Sequence, residues 1–243
     1  MDPLTLSIVI PAYNEAHRIE DTLRTVHHFL QQENWNAEIL VVNDGSQDNT
    51  AALVSALSHN WKNLHLIENP QNLGKGFSVK NGALSAKGQV VLFTDADLSA
   101  PIEEMSKLVD PILRGVFDLT LGSRALDRSL IGVHQSKLRE LSGRIFNWLV
   151  QLLTGLSFKD TQCGFKAFHR KSMIPVLLRQ KISDFGFDPE ILFLAKVRGL
   201  RLKEIPVRWN HTEGSKVRFL RDAFKMFLGL IFIRWNQLTG KYR

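Results

Sequence analysis

The chain has 243 residues, of which 44% are hydrophobic and 23% charged, and 31 Lys+Arg against 24 Asp+Glu give it a formal net charge of +7. This composition is typical of a globular domain with a sizeable core and excludes a disordered chain. The single cysteine excludes an internal disulfide and a cysteine-built zinc site. No apolar run reaches the ~20 residues of a membrane span. The N-terminal apolar stretch has no basic flank and is broken by Pro11, so we expect no signal peptide and a cytoplasmic location.

Short apolar runs alternate with longer amphipathic stretches along the first half. In chain order, the pattern predicts strands at 6–10, 38–42, 64–67, 89–93 and 117–121, with helices at 15–32, 48–59, 74–86 and from about 101. Continuous apolar strands separated by helices are typical of a parallel sheet covered on both faces. The predicted class is therefore α/β, with a mostly parallel sheet sandwiched by helices.

The alternation weakens after Arg124. A polar and basic segment, 132–143, leads to an apolar run at 145–153, and a segment at 163–169 follows. The pattern then predicts a helix at 188–198, a strand at 202–209 and an amphipathic helix at 217–238. No repeat or linker interrupts the chain, so we expect a single domain, 1–243.

Polar residues follow three of the predicted strands. The strand at 6–10 is followed by PAYNE, the strand at 38–42 by NDGS, and the strand at 89–93 by TDAD. Ligands of α/β sheets lie at the carboxyl ends of the strands, so one shared site is the simplest interpretation.

Asp95 and Asp97 are candidate metal ligands at this edge. Mg²⁺ and Mn²⁺ prefer carboxylate oxygens, usually alongside substrate phosphates. Two carboxylates separated by one residue can face one ligand only where the chain bends. A metal here would assist a departing diphosphate as a Lewis acid. Two solvated turn aspartates are the alternative, and the position after a buried strand favours the metal site.

Other residues at this edge could hold a nucleotide. Asp44 could accept from a base or ribose, Tyr13 could stack on a base, and Glu15 could equally be a first-turn helix acid. Lys75, in the sequence NLGKG, precedes a helix and suits phosphate. The spacing matches neither a P-loop nor a dinucleotide-binding fingerprint.

The ordered segments of the whole chain resemble family 2 glycosyltransferases of the GT-A fold. They are IVIPAYNE, VVNDGSQDNT, NLGKG, FTDADLSAP, LGSR, DTQCGFKAF, FDPEIL and EIPVRW. Within the family the chain resembles polyprenyl-phosphate sugar synthases, and DTQCGFK resembles the dolichyl-phosphate β-glucosyltransferases. The resemblance implies an inverting transfer of a hexose, glucose from UDP-glucose, onto polyprenyl or dolichyl phosphate with Mg²⁺ or Mn²⁺. GDP-mannose as the sugar donor and a non-lipid acceptor stay open.

The resemblance also implies residue roles. Pro11, Tyr13, Glu15 and Asp44 would hold the base and ribose, and Asp95 and Asp97 would face the diphosphate and bind the metal. Lys216 belongs to a loop that would close over the diphosphate. Lys75 and Ala96 are further expected substrate-binding residues. Ser99 stands where mannosyl-transferring relatives often have Gln, so the third metal ligand is Ser99 or water. Asp97, Arg124 and Arg139 are the expected catalytic residues, although Lys137 or Arg144 competes with Arg139 for the acceptor phosphate.

The expected mechanism needs no catalytic base. The second pKa of a phosphate monoester is about 6, so the acceptor is already largely dianionic near neutrality. Direct attack would then invert the anomeric carbon, and Asp188 with Glu190 would shape the acceptor pocket instead. A sugar-nucleotide-sensing protein without activity is the non-enzymatic alternative.

The last predicted helix is a candidate membrane contact. From Lys216 to Arg243 there are seven basic residues and one acid, a charge that suits anionic surfaces. A polar sector that includes Lys225, Gly229 and Asn236 lies opposite an aromatic-rich one, which fits either an interfacial helix or a helix that covers the sheet. The run at 145–153 is a second candidate. We expect peripheral association with the cytoplasmic face of a membrane and no nucleic-acid partner. Within the single domain, residues 1–124 would bind the nucleotide sugar, and residues 125–243 would face the acceptor and the membrane.

Overall fold

The computed structural model describes residues 4–212 and 219–243. The helices are α1 Ile19–Gln32, α2 Thr50–Ser58, α3 Lys75–Ser85, α4 Met105–Leu113, α5 Lys137–Thr154, α6 Arg170–Arg179, α7 Phe187–Val197 and α8 Phe219–Leu238. The strands are β1 Leu6–Ala12, β2 Ala37–Asn43, β3 Leu64–Glu68, β4 Val90–Thr94, β5 Leu119–Ser123, β6 Ile131–Val133, β7 Phe165–His169, β8 Leu202–Pro206 and β9 Trp209–Asn210.

Seven strands form the central sheet, in the order β3-β2-β1-β4-β7-β5-β8. Ile8 of β1 is level with Ile39 of β2 and with Leu92 of β4, and these strands run parallel. Strand β7 runs antiparallel to both of its neighbours, β4 and β5. Strands β6 and β9 form a separate parallel pair. The α/β class with a mostly parallel sheet is confirmed.

Helices cover both faces of the sheet. One apolar cluster packs α1, α2 and α4 against it, through residues such as Leu23, Val54 and Leu108. The second cluster joins α3, α5, α6, α7 and α8 on the other face, with Val79 and Ile191 among its buried residues. The inner strands β1, β2 and β4 are buried on both faces, which explains their largely apolar sequences, whereas the edge strands β3 and β8 are partly exposed.

Four expectations about the elements differ from the structure. Helix α1 begins at Ile19, because residues 15–18 form a turn in which the Glu15 carbonyl accepts from the Arg18 and Ile19 amides. The strand expected at 202–209 is two strands in different sheets, β8 and β9. Helix α5 begins at Lys137, well before the apolar run, and α6 was not predicted. Both helices begin with charged residues, KLRE in α5 and RKS in α6, which conceal where each helix starts.

Candidate functional site

A tight turn at the end of β4 carries the Asp-Ala-Asp sequence. The Leu98 amide donates to the Asp95 carbonyl at 3.1 Å, and Leu98 has a positive φ of 45°. The Asp97 carboxylate accepts from the Ser99 amide at 2.9 Å. Ala96 is buried, and its carbonyl accepts from the Thr22 hydroxyl at 2.6 Å. The chain therefore bends at Asp95 and Asp97, as it must if both carboxylates are to face one ligand.

Lys75 reaches this turn from the start of α3. Its Nζ lies 2.5 Å from Asp95 Oδ1. Burial alone would lower the pKa of Lys75, but the charges of Asp95 and Asp188 raise it, so the ammonium stays protonated at neutral pH. Gly74 precedes it with φ 101°, and a Cβ there would overlap the Ser183 carbonyl. Glycine is thus needed to bring Lys75 to the acidic turn.

Asp44 fixes the loop that carries Lys75. It is buried, and its carboxylate accepts from the Leu73 amide at 2.9 Å, the Gly74 amide at 2.9 Å and Asn69 Nδ2 at 2.8 Å. Asp44 therefore has a structural role in addition to the expected contact with base or ribose. Asp44 accepts from the Gly74 amide and Lys75 pairs with Asp95, so this loop connects the end of β2 with the end of β4.

Arg124, at the end of β5, is held in a bidentate ion pair. Its Nε and Nη2 donate to Asp160 at 2.6 and 2.8 Å, and the guanidinium lies 5.4 Å from the Trp209 ring centroid. Burial would lower the pKa of Arg124, but the Asp160 carboxylate outweighs it and raises the pKa. The pair orients a permanent cation, and the charge of Asp95 also contributes to the raised pKa of Arg124.

A second buried pair lies behind Lys75. Lys166 on β7 is fully buried, and its Nζ lies 2.5 Å from Asp188 Oδ1 and 2.6 Å from the Cys163 carbonyl. Burial raises the pKa of Asp188, and the charges of Lys166 and Lys75 act against that rise. Asp188 was expected to shape an acceptor pocket; in the structure it is the enclosed counter-ion of Lys166.

The segment DTQCGFK supplies three of these features. Asp160 holds Arg124, Lys166 pairs with Asp188, and a Cβ on Gly164 would overlap Asp95 Oδ2. Sequence reasoning used this segment only to recognise a family branch and assigned it no site residue. A lysine inside the apolar strand FKAF was the available signal, because a buried ammonium needs a partner.

Other expected residues lie at or near the same edge. Pro11 belongs to the end of β1, and Tyr13 and Glu15 to the loop after it, where Glu15 pairs with Arg18 at 3.0 Å. Ser99 is buried, and its Oγ lies 3.4 Å from Thr212 Oγ1.

Arg139 and Lys216 were also expected to bind phosphate. Arg139 lies in the first turn of α5, beside Glu140, which pairs with Arg128 at 2.6 Å. Lys216 lies outside the described residues.

An open cleft of about 380 Å³ lies beside Asp97. His17, Arg18, Asp21, Thr22, Leu98 and Thr212 contribute to its lining. Its basic residues follow β1, and sequence reasoning did not single them out. The cleft gives the acidic turn an accessible side at which a ligand could enter.

Asp95 and Asp97 fit a divalent cation that takes its remaining ligands from water and a substrate. Among the described residues no cluster of three or more His, Cys, Asp or Glu could hold a metal alone. Mg²⁺ commonly takes only one or two protein carboxylates and completes its shell with water and phosphate oxygens. Asp95, whose side chain is 35% exposed, and Asp97 match that pattern.

Comparisons with known proteins agree on one family. The sequence model described as Glycosyl transferase family 2 matches residues 7–176. A dolichyl-phosphate beta-glucosyltransferase of Trichomonas vaginalis is 35% identical over 98% of this chain and 76% of its own length. The Saccharomyces cerevisiae protein of the same name is 34% identical over 100% of this chain and 78% of its own length.

Solved structures share the fold. Glucosyl-3-phosphoglycerate synthase from Mycobacterium tuberculosis, in a complex with Mn²⁺, uridine diphosphate and phosphoglyceric acid, has a TM-score of 0.70 at 18% identity. The match covers 98% of this chain and 78% of that one. At this identity the likeness establishes the fold alone.

Proposed function

The chain belongs to glycosyl transferase family 2, as its ordered segments predicted, and from that premise we propose that it transfers glucose from a nucleotide sugar to dolichyl phosphate. The support is the set of relatives named dolichyl-phosphate beta-glucosyltransferase, which match nearly the whole chain at 31–35% identity. The site adds the chemistry, because two carboxylates and two fixed cations, Lys75 and Arg124, meet at one sheet edge.

Asp95 and Asp97 would hold Mg²⁺ or Mn²⁺, which neutralises charge on the leaving diphosphate when bound. Lys75 and Arg124 would face the same phosphates, and their ion pairs keep both side chains oriented before substrate arrives. UDP-glucose is the proposed sugar donor. The structural neighbour from Mycobacterium tuberculosis binds UDP-glucose with Mn²⁺. GDP-mannose is the competing sugar donor.

The acceptor phosphate would attack the anomeric carbon without a protein base. Asp188 is enclosed and ion-paired with Lys166, so it is poorly placed to take a proton from an acceptor. A dianionic phosphate has no proton to lose at the attacking oxygen. Direct attack gives a β-linked product from an α-linked sugar donor. Arg139 and its neighbours on α5 would bind the acceptor phosphate, which assigns 1–124 to the nucleotide sugar and 125–243 to the acceptor and membrane.

We further propose that the outer faces of α5 and α8 rest on a membrane surface. Exposed apolar residues recur every three or four positions on both helices: Leu138, Leu141, Ile145, Trp148 and Leu152 on α5, and Phe224, Leu228, Ile231, Trp235 and Leu238 on α8. We call this set the apolar platform; the two helices pack side by side. Lys225 and Arg234 are exposed on α8 and suit anionic headgroups.

Helix α8 would serve both of the roles that its sequence left open. Its inner face, with Leu230 and Ile233, is buried in the core, whereas the platform residues are exposed. The expected polar sector is wrong at Asn236, which is fully buried. In the part of the chain that the structure describes, no helix has the length and hydropathy to cross a bilayer.

The direct test is transfer in vitro. Purified protein is incubated with Mg²⁺ or Mn²⁺, a short polyprenyl phosphate and a panel of sugar nucleotides, and the lipid product is identified by mass. We expect glucosylated lipid from UDP-glucose, and loss of it with a chelator or in Asp97→Asn. Mannosylated lipid from GDP-mannose alone would replace the proposed sugar donor, and transfer only to non-lipid acceptors would overturn the proposal.

A further inference from the structure

Glu190 on α7 was expected to shape an acceptor pocket, but it faces the chain's own backbone. Its carboxylate is fully buried, and it accepts from the Lys181 amide at 3.1 Å and the Ile182 amide at 2.8 Å. The Tyr242 hydroxyl donates to Glu190 Oε1 at 2.5 Å. A carboxylate this enclosed is costly to bury, and these bonds offset the cost.

Tyr242 lies in the turn that follows α8. Its side chain is buried, and its carbonyl accepts from Arg179 Nε at 2.9 Å. The Lys241 amide donates to the Asn236 carbonyl at 2.9 Å. The end of the described chain is therefore anchored on α6 and α7.

The segment 180–184, which Glu190 holds, in turn holds the first turn of α3. The Phe77 amide donates to the Ser183 carbonyl at 3.1 Å, and Gln180 Nε2 donates to the Gly76 carbonyl at 2.9 Å. Gly74 packs directly against Ser183. Lys75 lies between these two glycines, so its backbone is fixed on both sides by segment 180–184.

We propose that Glu190 and Tyr242 are positioning residues for Lys75, acting through segment 180–184. The hydrogen bond between Glu190 and Tyr242 fixes the position of segment 180–184. The segment fixes the first turn of α3, and that turn directs the Lys75 ammonium to Asp95. The role of Lys75 toward a diphosphate rests on the proposed function, whereas the connection itself does not. Helix α8 thereby joins the apolar platform to the sugar-donor side of the site.

The experiment compares Tyr242→Phe and Glu190→Gln with the wild type. Hydrogen exchange without substrate is the first measurement, and the Phe77 amide is the direct reporter because it donates to Ser183. We expect exchange at 181–182 and 76–78 to rise about tenfold as the segment opens locally. We expect the KM for UDP-glucose to rise about fivefold with kcat changed less than twofold, because ground-state and transition-state contacts weaken together.

The control is Ile233→Val on the inner face of α8, which trims the same core without touching the Glu190 bonds. It is compared at a temperature where its unfolded fraction equals that of Tyr242→Phe. Faster exchange confined to 240–243, or equal changes in Ile233→Val, would overturn the proposal. If Tyr242→Phe fails to fold, Glu190→Gln alone decides, and Glu190→Ala must then be worse than Glu190→Gln. Absence of lipid transfer in the wild type would contradict the proposed function but would leave the exchange result intact.

Discussion

Lys166 shows how much a single buried charge depends on its partner. The ammonium has no exposed surface and contacts Asp188, the Cys163 carbonyl and the face of Phe93. Both charges of the pair are almost completely removed from water, so each is tolerable only because the other is present. The two side chains come from β7 and α7, and the pair therefore also fixes α7 against the sheet.

Replacing Lys166 with Met should destabilise the fold strongly, because Asp188 is left buried without its counter-ion. We expect a loss of about 3–5 kcal/mol in the free energy of unfolding, measured by urea titration. The double variant Lys166→Met/Asp188→Asn should recover part of that loss, because the uncompensated charge is gone. A double variant that is less stable than Lys166→Met would contradict this account of the pair.

Cys163 should be chemically silent in the native state. It is buried, and burial raises the pKa of its thiol to about 12. The reactive species is the thiolate, so at pH 8 labelling by a disulfide reagent should be at least about a thousandfold slower than for a free thiol. The labelling rate should reach the free-thiol value once urea unfolds the chain. Rapid labelling of the folded protein would show that this strand opens locally.

Strand β7 explains which part of the site could be predicted from the sequence. The residues after β1, β2 and β4 were found because parallel strands bring their carboxyl ends to one edge. Strand β7 is antiparallel, so the residues before it, such as Asp160 and Gly164, arrive at that edge instead. Strand direction depends on long-range pairing and has no local signature in FKAF. The contributions of Asp160 and Gly164 were missed for that reason.

The apolar platform predicts a selective loss of membrane binding. Trp148 on α5 and Trp235 on α8 are each 59% exposed, so replacing them with Glu should leave the core intact. We expect Trp148→Glu/Trp235→Glu to lose most of its cosedimentation with anionic vesicles at low salt, because insertion of apolar side chains and attraction of basic ones both weaken.

Leu178→Glu is the matched control for that experiment. Leu178 is 61% exposed but lies on α6, outside the apolar platform. Its variant carries the same kind of substitution and should sediment like the wild type. Equal losses in the control and the platform variant would mean that added negative charge, and not the platform, determines binding.

At the scale of the whole molecule, the sequence predicted the first half of the fold better than the second. Up to β5 most strands contain an apolar run, helices separate them, and the local pattern agrees with the final structure. Beyond Arg124 the helices and strands depend more on tertiary packing than on local sequence pattern. Helix α5 begins among charged residues, and α8 has one buried and one exposed apolar face. Hydropathy alone cannot tell such faces apart.

Three ion-paired carboxylates, all outside the strands, make the fold sensitive to acid. Hydrogen bonds from Arg201 lower the pKa of Asp118. Burial would raise the pKa of Glu104 and of Asp160, but Lys107 and Arg208 lower the first and Arg124 lowers the second. Each pair contributes stability above the ordinary carboxyl pKa of about 4, and that stability is lost as the pH falls through the lower folded pKa.

Asp160→Asn isolates one of these contributions. We expect the variant to be less stable than the wild type by about 3 kcal/mol at pH 7, because Arg124 loses its counter-ion. The difference should begin to shrink below the ordinary carboxyl pKa of about 4, where Asp160 takes up a proton in the unfolded wild type, and should be smallest once the pH is also below its lowered folded pKa. Urea titrations at pH 7, 5, 4 and 3 measure it, with the exposed Glu33→Gln as a surface control. A difference that is the same at every pH would mean that Asn disturbs the geometry of the loop, and that the charge of Asp160 contributes little.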